Sequence, residues 1–135
     1  MRPAAIALAD GVVPRRDVDP FAPVRGWLAA QGHTPFAFQE DVWAAYACGK
    51  SGLVHAPTGM GKTWAAWLGP LALGPEGAVD APPPLTVVWI TPLRALASDT
   101  GLALARAAQA LRPHWTVDVR TGDTPASVRA RQDRR

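Results

Sequence analysis

The sequence predicts an α/β fold in which helices flank an open parallel sheet. Two observations lead to this prediction. Short apolar segments with the composition of strands alternate with longer segments whose apolar residues recur at helical spacing. One short segment, residues 85–90, is an almost continuous apolar run. Such a run is typical of a strand buried on both faces, which favours a parallel sheet.

The bulk composition is that of a globular protein. The chain has 135 residues, of which 48% are hydrophobic and 19% are charged. The single cysteine excludes an internal disulfide and a cysteine-based zinc cluster. No apolar run approaches transmembrane length, so we expect a cytoplasmic protein with no membrane partner.

The first half of the chain leads up to a glycine-rich loop. Residues 1–20 are rich in proline and predict a flexible leader, so the predicted domain covers residues 21–135. Apolar periodicity predicts helices near residues 21–30 and 36–47, and residues 53–55 predict the first strand.

The segment that follows, Ala-Pro-Thr-Gly-Met-Gly-Lys-Thr at 56–63, is a variant P-loop (Walker A motif) that begins with Ala56 in place of glycine. Its glycines permit a tight turn with inward N–H groups, which forms an anion cradle at the start of a helix. Lys62 would contact the β- and γ-phosphates of a nucleotide, and the Thr63 hydroxyl would bind Mg²⁺. The alternative is a glycine turn that happens to precede a helix. The candidate nucleotide-binding residues of this segment are Thr58, Gly59, Met60, Gly61, Lys62 and Thr63.

The second half repeats the alternation of elements. A helix is expected after Lys62, and Pro70 should kink or shorten it. Residues 74–84 predict a loop, residues 85–90 the second strand and residues 93–111 a helix. Residues 115–119 predict the third strand, and Pro125 begins a last helix that continues to the end of the chain.

Polar residues outside the glycine loop complete the candidate sites. Gln39, 23 residues before Lys62, offers the donor and acceptor needed to read an adenine edge. Phe21 could stack on the base; the alternative for Gln39 is an exposed helix residue. The turns at 91–94 and 120–124 follow predicted strands and carry groups that contact phosphate, although each could be an ordinary helix cap. Residues 112–135 hold six Arg and three Asp, which suits a phosphate-rich partner or a solvated helix.

These motifs, in this order and spacing, resemble the superfamily 2 DEXH-box helicases. The similarity is greatest to the Lhr-like group, including the ligase-associated DEXH-box DNA helicases. It lies in the segment around Gln39 and in the motifs APTGMGKT, TPLRALA and TGDT. The resemblance implies a RecA-like P-loop NTPase domain with ATP and Mg²⁺ as cofactors. It also implies that Gln39 and Phe21 bind adenine, and that single-stranded or partly duplex nucleic acid, with DNA favoured, is the partner. DNA-repair proteins are possible further partners. The implied nucleic-acid-binding residues are Thr91, Pro92, Arg94, Thr121, Gly122 and Asp123.

One motif of the DEXH-box helicases does not occur in the sequence. No apolar strand ends in Asp-Glu-x-His, the motif that holds Mg²⁺ and orients the attacking water. We therefore expect an incomplete RecA-like domain, the N-terminal part of a helicase, which is inactive alone. Two alternatives stay open: another P-loop NTPase or kinase, and a non-enzymatic nucleic-acid-binding module that uses the basic residues.

Overall fold

The computed structural model describes residues 19–75, 84–92 and 94–133, and these residues form helices joined by extended segments and turns. The predicted leader thus lies almost wholly outside the described residues, as does most of the predicted loop at 74–84. None of the described helices is long and apolar enough to cross a membrane. The helices are α1 (Ala22–Ala30), α2 (Ala37–Ala47), α3 (Lys62–Leu73), α4 (Arg94–Leu111) and α5 (Ala126–Gln132).

The predicted parallel sheet was wrong: no strand occurs among the described residues. The three segments predicted as strands, 53–55, 85–90 and 115–119, contain no helix and do not pair into a ladder. Side chains of the run at 85–90 that should be buried are instead in solvent, with Leu85 85% and Ile90 87% exposed. An apolar run is a local property, whereas a sheet needs a neighbouring segment aligned to exchange backbone hydrogen bonds. In this structure the buried core residues all lie in helices, and Val87, Trp115 and Val117 of these segments pack against them while only partly buried.

The core lies where α3 packs against α1, α2 and α4. Helix α3 is the most deeply buried element because Trp67, Leu68 and Leu71 lie on one side of it at helical spacing. Pro70 does not end this helix, which continues to Leu73. The buried core cluster consists of Val24, Leu28, Trp43, Trp67, Leu68, Leu71, Leu104, Ala107 and Ala108.

Two buried tryptophans fix how the helices sit on α3. The indole Nε1 of Trp43 in α2 donates to the Trp64 carbonyl at 3.3 Å, and that of Trp67 donates to the Leu104 carbonyl in α4 at 3.1 Å. Each ring therefore contributes a large apolar surface while its one polar atom is satisfied. These contacts join α2, α3 and α4 into one unit, and that unit positions the glycine loop before α3.

An ion pair at the surface joins α1 to α2. Nε of Arg25 in α1 donates to a Glu40 carboxylate oxygen in α2 at 2.7 Å, and the same guanidinium contacts Asp19. The hydrogen bond to Glu40 raises the pKa of Arg25 above its usual range, so this residue stays cationic. The pair fixes α2 beside α1, with its first turn toward the glycine loop.

Candidate functional site

The loop before α3 has the backbone geometry that its glycines predict. Gly59 and Gly61 both have positive φ, 85° and 75°, a region that side-chain-bearing residues rarely adopt. Gly61 is the N-cap of α3, so Lys62 and Thr63 are its first two residues. The free N–H groups and the positive end of the helix dipole therefore face the loop, which is an arrangement that favours an anion.

The Lys62 side chain folds back onto its own loop. Its Nζ donates to the Ala56 carbonyl at 2.6 Å and to the Pro57 carbonyl at 2.9 Å. An ammonium group has three donors, so one N–H remains after these two bonds. The charge therefore lies over the loop, where a phosphate could replace the two carbonyl oxygens as its partner.

The remaining loop residues differ in exposure. Thr58 and Gly59 are exposed, whereas Met60 and Thr63 are half-buried. Thr63 stands in the first turn of α3, where its hydroxyl is one oxygen ligand suited to Mg²⁺. The described residues contain no group of three or more His, Cys, Asp or Glu that could hold a metal. The Thr63 hydroxyl could supply one oxygen ligand to a magnesium ion, which usually takes its other ligands from phosphate oxygens, water and a carboxylate.

Gln39 connects α2 to the glycine loop. Its side chain is buried, its Oε1 accepts the Phe36 N–H at 2.9 Å, and its Nε2 donates to the Gly61 carbonyl at 2.9 Å. The first bond satisfies a free N–H at the start of α2, and the second spans 22 residues of sequence. An amide offers two donors and two acceptor positions, so one N–H and one lone pair are left. Gln39 is only 4% exposed, so it is largely enclosed by its surroundings.

The two aromatic residues near Gln39 have different environments. Phe21 is half-buried and stacks on Trp43, with ring centroids 5.8 Å apart, so it packs at the edge of the core. Phe36 is 46% exposed and stacks on Phe38 at 6.0 Å. Phe36 was not among the predicted site residues. The signal that could have found it is an aromatic residue three positions before Gln39, at the N-cap of a predicted helix.

A cavity of about 380 Å³ brings together the two turns that were predicted to contact phosphate. Thr91 lines it from one turn, and Thr121 and Gly122 line it from the other. Pro92 is exposed beside Thr91, and Asp123 is exposed in the second turn; neither lines the cavity. Arg94 begins α4, and its side chain lies outside the described part of the chain.

Hydrogen bonds within the second turn hold its shape. The Thr124 hydroxyl accepts the Thr121 N–H at 2.8 Å, and the Thr124 N–H donates to the Thr121 carbonyl at 3.1 Å. The preceding residue, Arg120, directs its guanidinium to α5, where it contacts the Gln132 side chain, the Arg129 carbonyl and Asp133. Arg120 therefore fixes α5 beside the turn. The side chains of Arg129 and Arg131 in this helix are exposed.

Comparison with known proteins places these features in one family. Residues 36–134 match the DEAD/DEAH box helicase family. A protein of Mycolicibacterium smegmatis named Lhr helicase/probable uracil glycosylase is 36% identical over 78% of this chain. A protein of Escherichia coli K12 named Lhr helicase/uracil glycosylase is 34% identical over 86% of it. The chain spans only 8% and 9% of the lengths of these relatives. No solved structure matches the chain.

Proposed function

Because the chain belongs to the DEAD/DEAH box helicase family, we propose that it contributes the ATP-binding loop and part of the nucleic-acid surface of an ATP-dependent helicase. The observation that carries this proposal is the junction at Gly61. There the buried Gln39 amide reaches the loop immediately before Lys62. The amide proposed to read the base is thus hydrogen-bonded to the residue directly before the lysine proposed to bind phosphate.

In this proposal the loop binds ATP and Mg²⁺ with its backbone N–H groups and with the Gln39 amide. Thr58, Gly59 and Gly61 would present backbone N–H groups, and the Met60 N–H would exchange the Pro57 carbonyl, to which it donates at 3.4 Å, for a phosphate oxygen. Gln39 would read adenine with its remaining donor and acceptor. Phe21 stays the predicted stacking partner, and the more exposed Phe36 is a second aromatic surface beside Gln39. ATP, when bound, supplies the phosphoanhydride bond whose hydrolysis drives the motor.

Lys62 and Thr63 have the central roles in the phosphate site. The Lys62 ammonium would exchange the Ala56 and Pro57 carbonyls for phosphate oxygens, and the Thr63 hydroxyl would bind Mg²⁺. The sequence lacks an Asp-Glu-x-His motif, so the group that orients the attacking water is not supplied by these residues. We therefore propose that this chain alone binds nucleotide without turning it over.

The second surface would bind a strand of nucleic acid. Thr91, Thr121 and Gly122 border one cavity, and Pro92, Arg94 and Asp123 adjoin them in the sequence. Arg120, which lines the same cavity, is hydrogen-bonded to α5, the helix that carries Arg129 and Arg131. DNA is favoured because both relatives carry uracil glycosylase in their names, and removal of uracil is a reaction of DNA repair. A repair role and repair partner proteins follow only as part of this proposal.

The decisive experiment measures ATP hydrolysis by the full-length protein that contains this chain, with and without single-stranded DNA. We expect Lys62→Ala to lower the stimulated rate by roughly 10²-fold or more, because it removes the positive charge that would stabilise the phosphate being transferred. Lys50→Ala removes the other lysine of this chain, which is exposed before the loop, and serves as the matched control.

Three results would count against the proposal. Unchanged turnover in Lys62→Ala would remove the loop from the ATP site. ATP turnover that is not stimulated by nucleic acid but depends on a small-molecule acceptor would favour a P-loop kinase. Salt-dependent strand binding with no effect of nucleotide would favour a non-enzymatic binding module.

A further inference from the structure

We propose that the cavity between α4 and the segments at 89–91 and 117–122 holds one unpaired nucleobase of a single strand. This inference rests on the proposed function, and it goes further by naming which part of the strand enters the protein. On α4 the cavity is lined by Ala97, Thr100, Gly101 and Leu104.

The cavity is large enough for this occupant. Its volume is about 380 Å³, whereas a dry cavity of roughly 150 Å³ already accepts a benzene ring. The two-ring system of a purine therefore fits with room for the atoms that join it to its sugar. The volume also lies within the range of natural small-ligand pockets, roughly 300–1,000 Å³.

The walls provide a stacking surface. Trp89 is the aromatic residue among those that line the cavity, and it is 36% exposed. Its ring stands edge-on to Trp67 at 6.5 Å, and Trp67 is in turn hydrogen-bonded to the Leu104 carbonyl. Trp89 and α4, which line the cavity, therefore both contact the same core residue, Trp67. Stacking on a fixed aromatic ring is the usual way in which proteins bind bases of single strands.

The charged residues of the lining favour a neutral group in the cavity over a phosphate. Arg120 is the one cationic residue among those lining the cavity, and its guanidinium is directed to α5. Asp118 also lines the cavity, and it is engaged by another group of the protein. The hydroxyl residues Thr91 and Thr121 supply hydrogen-bonding groups suited to the sugar-phosphate chain. A neutral, flat group in the cavity with its phosphates near the arginines of α5 satisfies all of these features.

A single strand is the form that can deliver such a group. In a duplex each base is paired and stacked, and extruding it costs a few kcal/mol. An unpaired base needs only to turn out of its strand. The cavity therefore predicts that affinity depends on the bases of a single strand as well as on its phosphates.

The test compares two single strands with the same backbone, one with bases and one fully abasic, by fluorescence anisotropy on the full-length protein. Base stacking is worth about 1–3 kcal/mol, so loss of the base should weaken binding roughly 5- to 150-fold. Ala97→Phe fills the cavity, and we expect it to lower affinity for the base-bearing strand to the abasic level. It should leave binding of the abasic strand unchanged. Ala110→Phe adds the same ring at an exposed position of α4 away from the cavity and should keep the difference.

The outcomes separate the two proposals. Equal affinity of the unaltered protein for both strands overturns the base pocket while nucleic-acid binding stands, and binding to neither strand overturns both. Equal weakening of both strands by a folded Ala97→Phe variant also overturns the pocket. An independent measurement uses the unaltered protein and a strand whose single base is 2-aminopurine. Quenching on binding is the expected result of stacking on Trp89, and unchanged fluorescence contradicts it.

Discussion

At the scale of single residues, the contact between Gln39 and Gly61 governs the candidate ATP site. The buried amide can reach the Gly61 carbonyl because no side chain stands between them: a Cβ at position 61 would lie 2.6 Å from Nε2 of Gln39. The positive φ of Gly61 is a second reason for glycine there. The residue is thus required both by its backbone conformation and by its neighbour, and the same contact orders the loop next to Lys62.

Gly61→Ala should therefore destabilise the protein and displace the Gln39 amide. We expect the free energy of unfolding to fall by about 1–3 kcal/mol, from left-handed strain and the enforced shift of Gln39. Urea unfolding monitored by tryptophan fluorescence measures it. Gly52→Ala is the control, since Gly52 lacks positive φ and a Cβ there would contact nothing. A Gly61→Ala variant as stable as Gly52→Ala would show that the contact is dispensable.

At the scale of elements, Arg112 connects the end of α4 to the end of α3. Its Nε donates to the Leu71 carbonyl and its Nη2 to the Ala72 carbonyl, both at 2.8 Å. These carbonyls belong to the last turn of α3, where helix geometry leaves acceptors without partners. A cation at this end also complements the helix dipole. One planar side chain thus closes α3 and holds α4 beside it.

Arg112→Ala should lower the free energy of unfolding by about 1–2 kcal/mol, because two acceptors lose a charged donor. Arg112→Lys should recover only part of this, since an ammonium lacks the planar fork that reaches two carbonyls. Thermal and urea unfolding of both variants, beside Arg106→Ala on the exposed face of α4, give the comparison. Equal stability of the alanine variants at 106 and 112 would contradict the capping role.

The helices could be predicted from sequence because their signals are local. Residues 36–47 were expected to be helical and Ala37–Ala47 are; a helix was expected after Lys62, and α3 begins at Lys62 itself. The predicted strands had equally clear local patterns, but strand pairing depends on distant segments and did not form. Pro70 was expected to kink or shorten α3; the helix continues for three residues past it, and the kink stays a prediction.

In the candidate site too, local features could be predicted from the sequence, whereas contacts between distant segments could not. The glycine loop and the family resemblance follow from short motifs, and the resemblance to DEXH-box helicases is confirmed by the family match. The internal partners of Gln39 and Lys62 could not be predicted, since they depend on how α2 approaches the loop. The cavity was likewise invisible, although the two turns that border it had been named. The roles of Phe21 and of the phosphate-contacting residues stay predictions.

At the scale of the whole molecule, exposed apolar segments are the main liability. Leu53 is 93% exposed, Leu85 85% and Val88 69%. The run at 85–90 combines apolar and β-prone residues with no charge, which is the composition that associates between chains. The helical core does not cover these side chains, so they are free to meet those of another molecule.

Leu85→Lys combined with Val88→Lys should raise the protein concentration at which aggregation begins, because two charges interrupt the run. The free energy of unfolding should change little, within about 0.5 kcal/mol, as both positions are exposed. Light scattering during concentration measures the onset, and Ala44→Lys combined with Ala47→Lys, at exposed positions of α2, controls for two added charges alone. Equal onset in the double variant and the control would assign aggregation to another surface.

The scarcity of lysine gives the glycine loop a chemical signature. Lys50 and Lys62 are the only lysines in the sequence, so an amine-acylating reagent has two side-chain targets along all 135 residues. Lys50 is exposed, whereas the Lys62 amine is bonded to two carbonyls of its loop. The ratio of the two acylation rates, read by peptide mass spectrometry, therefore reports the state of the loop directly. Lys50 serves as the internal standard.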